Sequence, residues 1–285
     1  MRRLAYIVII ALGWAACSKP QPVKNLNGNQ VAVIGHAGNG IPGLNSNLPH
    51  DSYESVIEAL EINNADGVEV DVQLTADSVL FMYHDKELES LTGCSGCSFL
   101  LRAEELEQCA FKPVGTSLSG PCYLTPLQKV IERYSNRAVK PVIFIDLHVD
   151  LGCNITDVRK EWYYATTMYA INELLSRYNA YDYVFVQANS FEWLMQARDK
   201  YPDVKVFLDV AISKGNIAEA AANGFYGVAC KSEHITAEEV AFAHDKGLRV
   251  QIYGERGYAL RQVVDKAPDY ILTDNIPLLH SILHY

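Results

Sequence analysis

The sequence lacks two features that would place it in common classes of protein. It has no apolar run long enough for a transmembrane helix, because the stretch Leu4 to Ala16 holds thirteen residues and about twenty are needed. It also lacks an excess of positive charge, since 24 basic side chains stand against 34 acidic ones and the formal net charge is −10. These absences argue against a permanent membrane span and against a partner such as nucleic acid.

Linkers, internal repeats and low-complexity segments are also missing, apart from the short polar stretch 18–29. The remaining length suits one large domain, since a single α/β barrel takes about 250 residues. We therefore predict a signal peptide at 1–16, a lipidated polar tether at 17–29 and one domain at 30–285.

The N-terminus predicts export from the cell. Arg2 and Arg3 precede the apolar stretch, and Trp14-Ala15-Ala16-Cys17 closes it with small residues before a cysteine, as in a cleaved signal. This ending resembles a bacterial lipobox, with Trp14 in place of the usual aliphatic residue. We expect an exported bacterial lipoprotein, periplasmic or associated with the outer membrane, that contacts the membrane through a lipid on Cys17. Soluble secretion with an incidental Cys17 is the alternative.

Cysteines are few but clustered. Six follow Cys17, and four of them lie within about thirty residues: Cys94, Cys97, Cys109 and Cys122. In an exported chain this clustering predicts disulfides, whose connectivity the sequence leaves open. A zinc site formed by the same four thiolates is the competing interpretation.

Short β-branched runs alternate with amphipathic helical stretches from Val31 onward, which is the pattern of repeated βα units. The predicted strands are 31–35, 67–72, 142–147, 183–187, 204–208, 227–231, 248–253 and 270–273. The predicted helices are 52–63, 126–134, 158–178, 191–201, 216–223, 237–246 and 258–266, the first capped by Asp51. Eight strands with intervening helices predict an α/β fold of the TIM (β/α)8 barrel type.

The second predicted strand carries two acidic residues on one face. Glu69 and Asp71 are two positions apart, so their side chains project together. Only Ala76, Asp77 and Ser78 separate the run 67–75 from the run 79–85. This connection is too short for a parallel crossover and therefore predicts an antiparallel hairpin inserted after strand 2. The hairpin would fold His84 back beside Asp71.

Further polar residues end other strands. His36 follows the first strand, and Asp146 and His148 share a face at the end of the third; each alone could be structural. Together at one barrel mouth, the carboxylates of residues 69, 71 and 146 would repel by roughly 4 kcal/mol for each pair near 4 Å. A divalent cation with oxygen ligands, Ca²⁺ or Mg²⁺, would relieve this repulsion. Separate Lys or Arg partners are the alternative.

A series of spaced motifs runs through most of the chain. The motifs are His36-x-Gly38, Asp51-Ser52, 67–75, His84-Asp85, Ile145-Asp146, Ser190-Phe191 and 273–277. In this order they resemble the glycerophosphodiester phosphodiesterase family over about residues 31–283. The resemblance implies a barrel of the phospholipase C-like phosphodiesterase type and a small phosphodiester substrate.

The resemblance also implies roles for particular residues. Glu69, Asp71 and Asp146 match the metal ligands of the family, and His36 and His84 match its catalytic acid/base pair. These roles agree with the chemistry, because a phosphodiester must accept a nucleophile and expel an alkoxide, which requires one group to take a proton and another to give one.

Several positions depart from the family pattern. Ala37 stands where the family has arginine, Asp146 and His148 stand where it has glutamate and lysine, His50 stands in or near the place of a glutamate, and Tyr253 stands where a tryptophan is expected. Two positive groups that would bind phosphate are therefore missing.

Four residues at strand ends are our candidates for substrate binding: His148, Lys231, Tyr253 and Arg256. Lys231 and Arg256 could replace the missing positive charges, or could be ordinary surface groups. Two other functions stay open: a cyclising phospholipase C-like reaction, and a weakly active or inactive barrel lipoprotein that binds a phosphorylated or sugar ligand. No obligate protein partner is evident from the sequence.

Overall fold

The described part of the chain covers residues 24–42, 46–114, 120–147, 153 and 156–284 of a computed structural model. The predicted signal peptide, Cys17 and His148 lie outside the described residues. Within those ranges, no helix combines the length and the apolar character that a bilayer crossing requires.

Eight parallel strands form a closed barrel. The barrel strands are β1 (Ala32–Gly35), β2 (Gly67–Leu74), β4 (Val142–Asp146), β5 (Val184–Ala188), β6 (Val206–Asp209), β7 (Gly227–Lys231), β8 (Arg249–Tyr253) and β9 (Tyr270–Thr273). Neighbours pair in the order β1, β9, β8, β7, β6, β5, β4 and β2, and β1 also pairs with β2, which closes the ring. The predicted TIM barrel is confirmed.

The predicted hairpin is also present. Strand β3 (Leu80–Met82) pairs antiparallel with the end of β2, with Val72 opposite Met82 and Leu74 opposite Leu80. The main-chain N–H of Tyr83 donates to the carbonyl oxygen of Asp71 at 2.9 Å. The segment that carries His84 therefore returns to the strand that carries the two acidic residues.

Helices surround the barrel. They are α1 (Tyr53–Ile57, continued by a π-turn at Glu58–Ile62), α2 (Ala103–Leu106), α3 (Leu127–Ser135), α4 (Asp157–Tyr178), α5 (Phe191–Lys200), α6 (Lys214–Ala222), α7 (Ala237–Asp245), α8 (Leu260–Val264) and α9 (Ile276–Leu283). Our prediction omitted α9, although Asn275 caps it by accepting from the N–H of Leu278 at 3.0 Å.

The predicted cap of α1 was wrong. Ser52, not Asp51, is the N-cap, and its hydroxyl accepts from the N–H of Ser55 at 3.1 Å. Asp51 lies one residue earlier with φ of +55°, and its carboxylate turns toward strand β2 instead.

Aromatic side chains fill the lower part of the barrel. Phe144 lies 5.0 Å from Phe207, 5.1 Å from Tyr270 and 5.4 Å from Phe185, measured between ring centroids. These rings are buried, so the interior is packed rather than open. Polar side chains can gather only above this layer, at the C-terminal ends of the strands, which we call the mouth of the barrel.

Candidate active site

Three carboxylates meet at the mouth, as predicted. Glu69 and Asp71 come from β2, Asp146 ends β4, and Asp71 lies directly opposite Asp146 in the strand register. One carboxylate oxygen from each residue lies within 4.8 Å of the others, which makes the three a possible metal-binding group. Glu69 and Asp71 are almost fully buried, and the buried oxygens cannot rely on water to offset their charge.

The three carboxylates destabilise one another's charged forms. Burial raises the pKa of Glu69 well above its usual value, and the neighbouring charge of Asp71 raises it further. Burial likewise raises the pKa of Asp71, with the charges of Asp51 and Asp146 adding to the effect. A set of oxygen ligands with excess negative charge fits Ca²⁺ or Mg²⁺ better than zinc, which prefers nitrogen and sulfur.

Asp51 is a fourth buried carboxylate that the sequence argument assigned to a helix cap. Its Oδ1 accepts from the main-chain N–H of Asp71 at 2.9 Å, and its own N–H donates to the carbonyl oxygen of Ala37 at 2.9 Å. The N–H of Ala37 in turn donates to Oε2 of Glu69 at 2.9 Å. Asp51 therefore connects the loop after β1 to the strand that bears the metal-ligand candidates.

His36 lies at the end of β1, where a carboxylate orients its ring. Its Nδ1 is 2.7 Å from Oδ1 of Asp274, the residue that follows β9. Burial alone would lower the pKa of His36, but the hydrogen bond to Asp274 and the charge of Glu69 raise it overall. The following turn requires Gly38, because its φ is +90° and a Cβ there would lie 2.6 Å from the hydroxyl oxygen of Ser55.

His84 follows the hairpin, and a carboxylate orients this ring as well. Its Nδ1 is 2.6 Å from Oδ1 of Asp85, and 48% of the side chain is exposed. The His84 ring lies edge-on against the ring of His50, with centroids 5.8 Å apart. The structure thus brings His84 to the rim, in contact with a histidine outside our predicted site.

The predicted substrate-binding residues occupy different parts of the rim. Lys231 and Tyr253 end β7 and β8 and are register partners. The Tyr253 hydroxyl donates to the carboxylate of Asp209 at 2.9 Å, a mouth residue that sequence reasoning missed. Arg256 is exposed, and its Nε is 3.2 Å from Oδ2 of Asp274, so it adds positive charge next to the partner of His36. His148 belongs to the part of the chain that is not described.

Two buried glutamines lie on the barrel strands β5 and β8. Gln187 is the register partner of Asp146, and Gln251 lies two residues before Tyr253. Within the described ranges, both polar atoms of the Gln251 amide and the Gln187 carbonyl oxygen have no hydrogen-bond partner. Because unpaired buried polar groups are costly, these amides are suited to binding water or polar atoms of a ligand.

Disulfides, not zinc, join the clustered cysteines. Cys94 bonds to Cys109, and Cys97 bonds to Cys153. Cys122 is a buried free thiol whose pKa burial raises to about 11. The second disulfide links Cys97, in the crossover after the hairpin, to Cys153, which follows β4 in the sequence.

Solved structures of several proteins share this fold. A protein from Silicibacter pomeroyi, named a candidate glycerophosphoryl diester phosphodiesterase, has a TM-score of 0.75 at 19% identity over 89% of this chain and 93% of its own. A glycerophosphodiester phosphodiesterase from Parabacteroides distasonis gives 0.69 at 19% identity over 89% and 97%. An Oleispira antarctica phosphodiesterase, solved with the product sn-glycerol-3-phosphate, gives 0.71 at 17% identity over 89% and 97%.

No curated protein matches the sequence. The sequence profile of one family, however, matches residues 43–278, a range that includes the hairpin, the three carboxylates and the start of the C-terminal helix. This match confirms the family that the spaced motifs predicted. The chain belongs to the glycerophosphoryl diester phosphodiesterase family.

Proposed function

We propose that this enzyme hydrolyses a glycerophosphodiester, or a related phospholipid head-group phosphodiester, to a phosphomonoester and an alcohol. One observation carries the proposal: three carboxylates whose oxygens lie within 4.8 Å of one another, with carboxylate-oriented histidines at the same mouth. This arrangement offers a cation site beside two groups that can move protons, which is what cleavage of a phosphodiester requires.

Glu69, Asp71 and Asp146 would hold the divalent cation, Ca²⁺ or Mg²⁺. When bound, the cation would offset two of the three carboxylate charges and stabilise the negative charge that develops on a phosphoryl oxygen. The hydrogen bond from the Ala37 N–H keeps Oε2 of Glu69 in place, and the contact of Asp51 with the Asp71 N–H fixes the strand beside it.

His36 and His84 are the proposed acid and base. Asp274 holds Nδ1 of His36 and Asp85 holds Nδ1 of His84, so each ring would exchange a proton with the reactants through Nε2. One histidine takes the proton of the attacking water and the other gives a proton to the leaving alkoxide. Lys231, Tyr253, Arg256 and His148 remain our candidates for binding the substrate.

The experiment that tests this function measures release of sn-glycerol 3-phosphate from a panel of glycerophosphodiesters. Activity that disappears with EDTA and returns with Mg²⁺ or Ca²⁺ is the expected result. A cyclic phosphate product would favour the phospholipase C-like reaction instead. Binding of phosphorylated ligands without turnover, unaffected by H36A and H84A, would make the binding lipoprotein the better interpretation.

The export signal and the lipid on Cys17 are a separate proposal about location. Mass spectrometry of the protein from a bacterial membrane fraction would detect a lipidated N-terminal Cys17. The variant C17A should then appear in the soluble fraction with its activity retained. An unmodified cysteine in fully soluble wild-type protein would contradict the lipoprotein assignment.

A further inference from the structure

His50 lies in the loop before α1, and its ring faces the catalytic rim. Its Nδ1 is 2.8 Å from Oδ2 of Asp51, and the side chain is only 19% exposed. Its ring meets the ring of His84 edge-on, with centroids 5.8 Å apart. Among the described residues, Nε2 of His50 has no hydrogen-bond partner.

Asp51 gives His50 the same arrangement as the two proposed catalytic histidines. In all three pairs the carboxylate contacts Nδ1, which fixes the ring and directs Nε2 elsewhere. Asp51 is itself fixed by the Asp71 N–H, so His50 is positioned relative to the strand of metal-ligand candidates. A histidine held in this way is part of the built site, not a loosely attached surface group.

The charges at the mouth create a need for a positive group here. Glu69, Asp71, Asp146 and Asp51 contribute four negative charges around one position, and a divalent cation offsets only two of them. A phosphodiester brings one more. The cationic side chains described at this rim are Lys231, which is exposed, and Arg256, which lies against Asp274. His50, in contrast, is largely buried and is paired with Asp51, one of these four carboxylates.

We propose that His50 is a substrate-contacting residue that binds the phosphoryl group, with its Nε2–H donating to a non-bridging oxygen while His84 beside it exchanges the proton. The proposal rests on the phosphodiesterase function proposed above. Charge-assisted hydrogen bonds to phosphate oxygens are among the stronger polar contacts in proteins.

The protonation required for this role is favoured by the surroundings of His50. Burial acts to lower its pKa, but the hydrogen bond and charge of Asp51 and the charge of Asp85 raise it overall. His84 is the other titratable ring in contact.

The variant H50N tests this role, because the asparagine Nδ2 can keep the hydrogen bond to Asp51 while the Nε2 group is lost. We expect KM for the glycerophosphodiester to rise about tenfold or more, since a hydrogen bond to a charged group contributes about 1.5–3 kcal/mol, with kcat changing less than threefold. Calorimetry with sn-glycerol 3-phosphate in the presence of Mg²⁺ should show a comparable loss of affinity. H50Q, which keeps a neutral donor near the Nε2 position, should restore part of it.

The opposite pattern would overturn the proposal. If H50N lowered kcat and shifted the pH profile while KM and product affinity stayed unchanged, His50 would be a positioning residue for His84. Full activity in H50N would exclude both roles. H244Q is the matched control. His244 also pairs with a carboxylate, since its Nε2 is 2.8 Å from Oδ2 of Asp269, but this pair lies at the opposite end of the barrel from the mouth. Lack of turnover in the wild type would instead count against the phosphodiesterase function, whereas normal wild-type turnover with an unchanged H50N would refute only the role of His50.

Discussion

The two ends of the barrel both bury carboxylates, but they surround them differently. Just before β9, at the lower end, Asp269 is fully buried and accepts from the N–H of Leu26 at 2.7 Å and of Val250 at 2.8 Å, and it contacts His244 at 2.8 Å. At the mouth, Glu69 and Asp71 face other carboxylates. The first arrangement supplies donors for the charge, whereas the second leaves negative charge in excess.

This difference indicates separate purposes for the two ends. A buried charge that has all its donors present holds chain segments together, and Asp269 joins β8 to Leu26, part of the predicted tether. A buried cluster of like charges weakens the fold unless a cation enters. Function at the mouth and stability at the base is the division expected for this barrel.

The largest effect should follow from removing charge at the mouth. E69Q keeps the shape of the side chain but removes one ligand charge, so we expect loss of divalent-cation binding together with a fall in activity of about 10³-fold. Calorimetric titration with Mg²⁺ or Ca²⁺ and a turnover assay would measure both. D203N, which removes an exposed charge, is the control. Retained activity after chelation would show that no cation takes part.

Removal of a proposed catalytic imidazole should separate chemistry from cation binding. We expect H36A or H84A to lower kcat by about 10² or more, because a positioned acid or base typically supplies 10² to 10⁴. Cation affinity should remain close to that of the wild type in both variants. A bell-shaped pH profile that persists unchanged in both would exclude these roles.

At the base of the barrel, D269A should affect stability and leave the chemistry intact. The substitution leaves two buried N–H groups and His244 without their acceptor, so the free energy of unfolding should fall by about 3 kcal/mol. Urea unfolding would measure the loss, and kcat of the folded fraction should be unchanged. A decrease in kcat without a loss of stability would contradict the division between the two ends.

Most of the candidate site could be predicted from the pattern of strands in the sequence. The spacing of Glu69 and Asp71, and the three-residue connection to the hairpin, fixed both the shared face and the return of the chain, since side-chain alternation and turn length are local properties. Charged residues at the ends of β-branched runs then indicated the mouth.

What escaped prediction depends on contacts between distant segments. Asp51 was predicted to be a helix cap because aspartate is a common residue at that position. Its contact with Asp71, twenty residues away, is visible only in the folded chain. Asp209 and His50 became part of the mouth through neighbouring strands and loops. The pairing of Cys97 with Cys153 spans 56 residues, and sequence spacing alone does not determine such pairings.

The most gradual expected effect is a pH dependence of stability in the cation-free protein. Glu69 and Asp71 have pKa values raised well above their ordinary 4.5 and 3.8, so between the ordinary and raised values the folded state binds more protons than the unfolded state. Stability must therefore fall as pH rises through this window, by at most about 1.4 kcal/mol per pH unit for each group. The raised pKa of His36 acts in the same direction at higher pH.

Saturating Mg²⁺ or Ca²⁺ should flatten this decline of stability with pH, and E69Q should reduce the decline without added cation. Chemical denaturation in EDTA between pH 5 and 8 would measure the slope, and a stability that rises with pH in EDTA would mean that these carboxylates are already compensated within the fold.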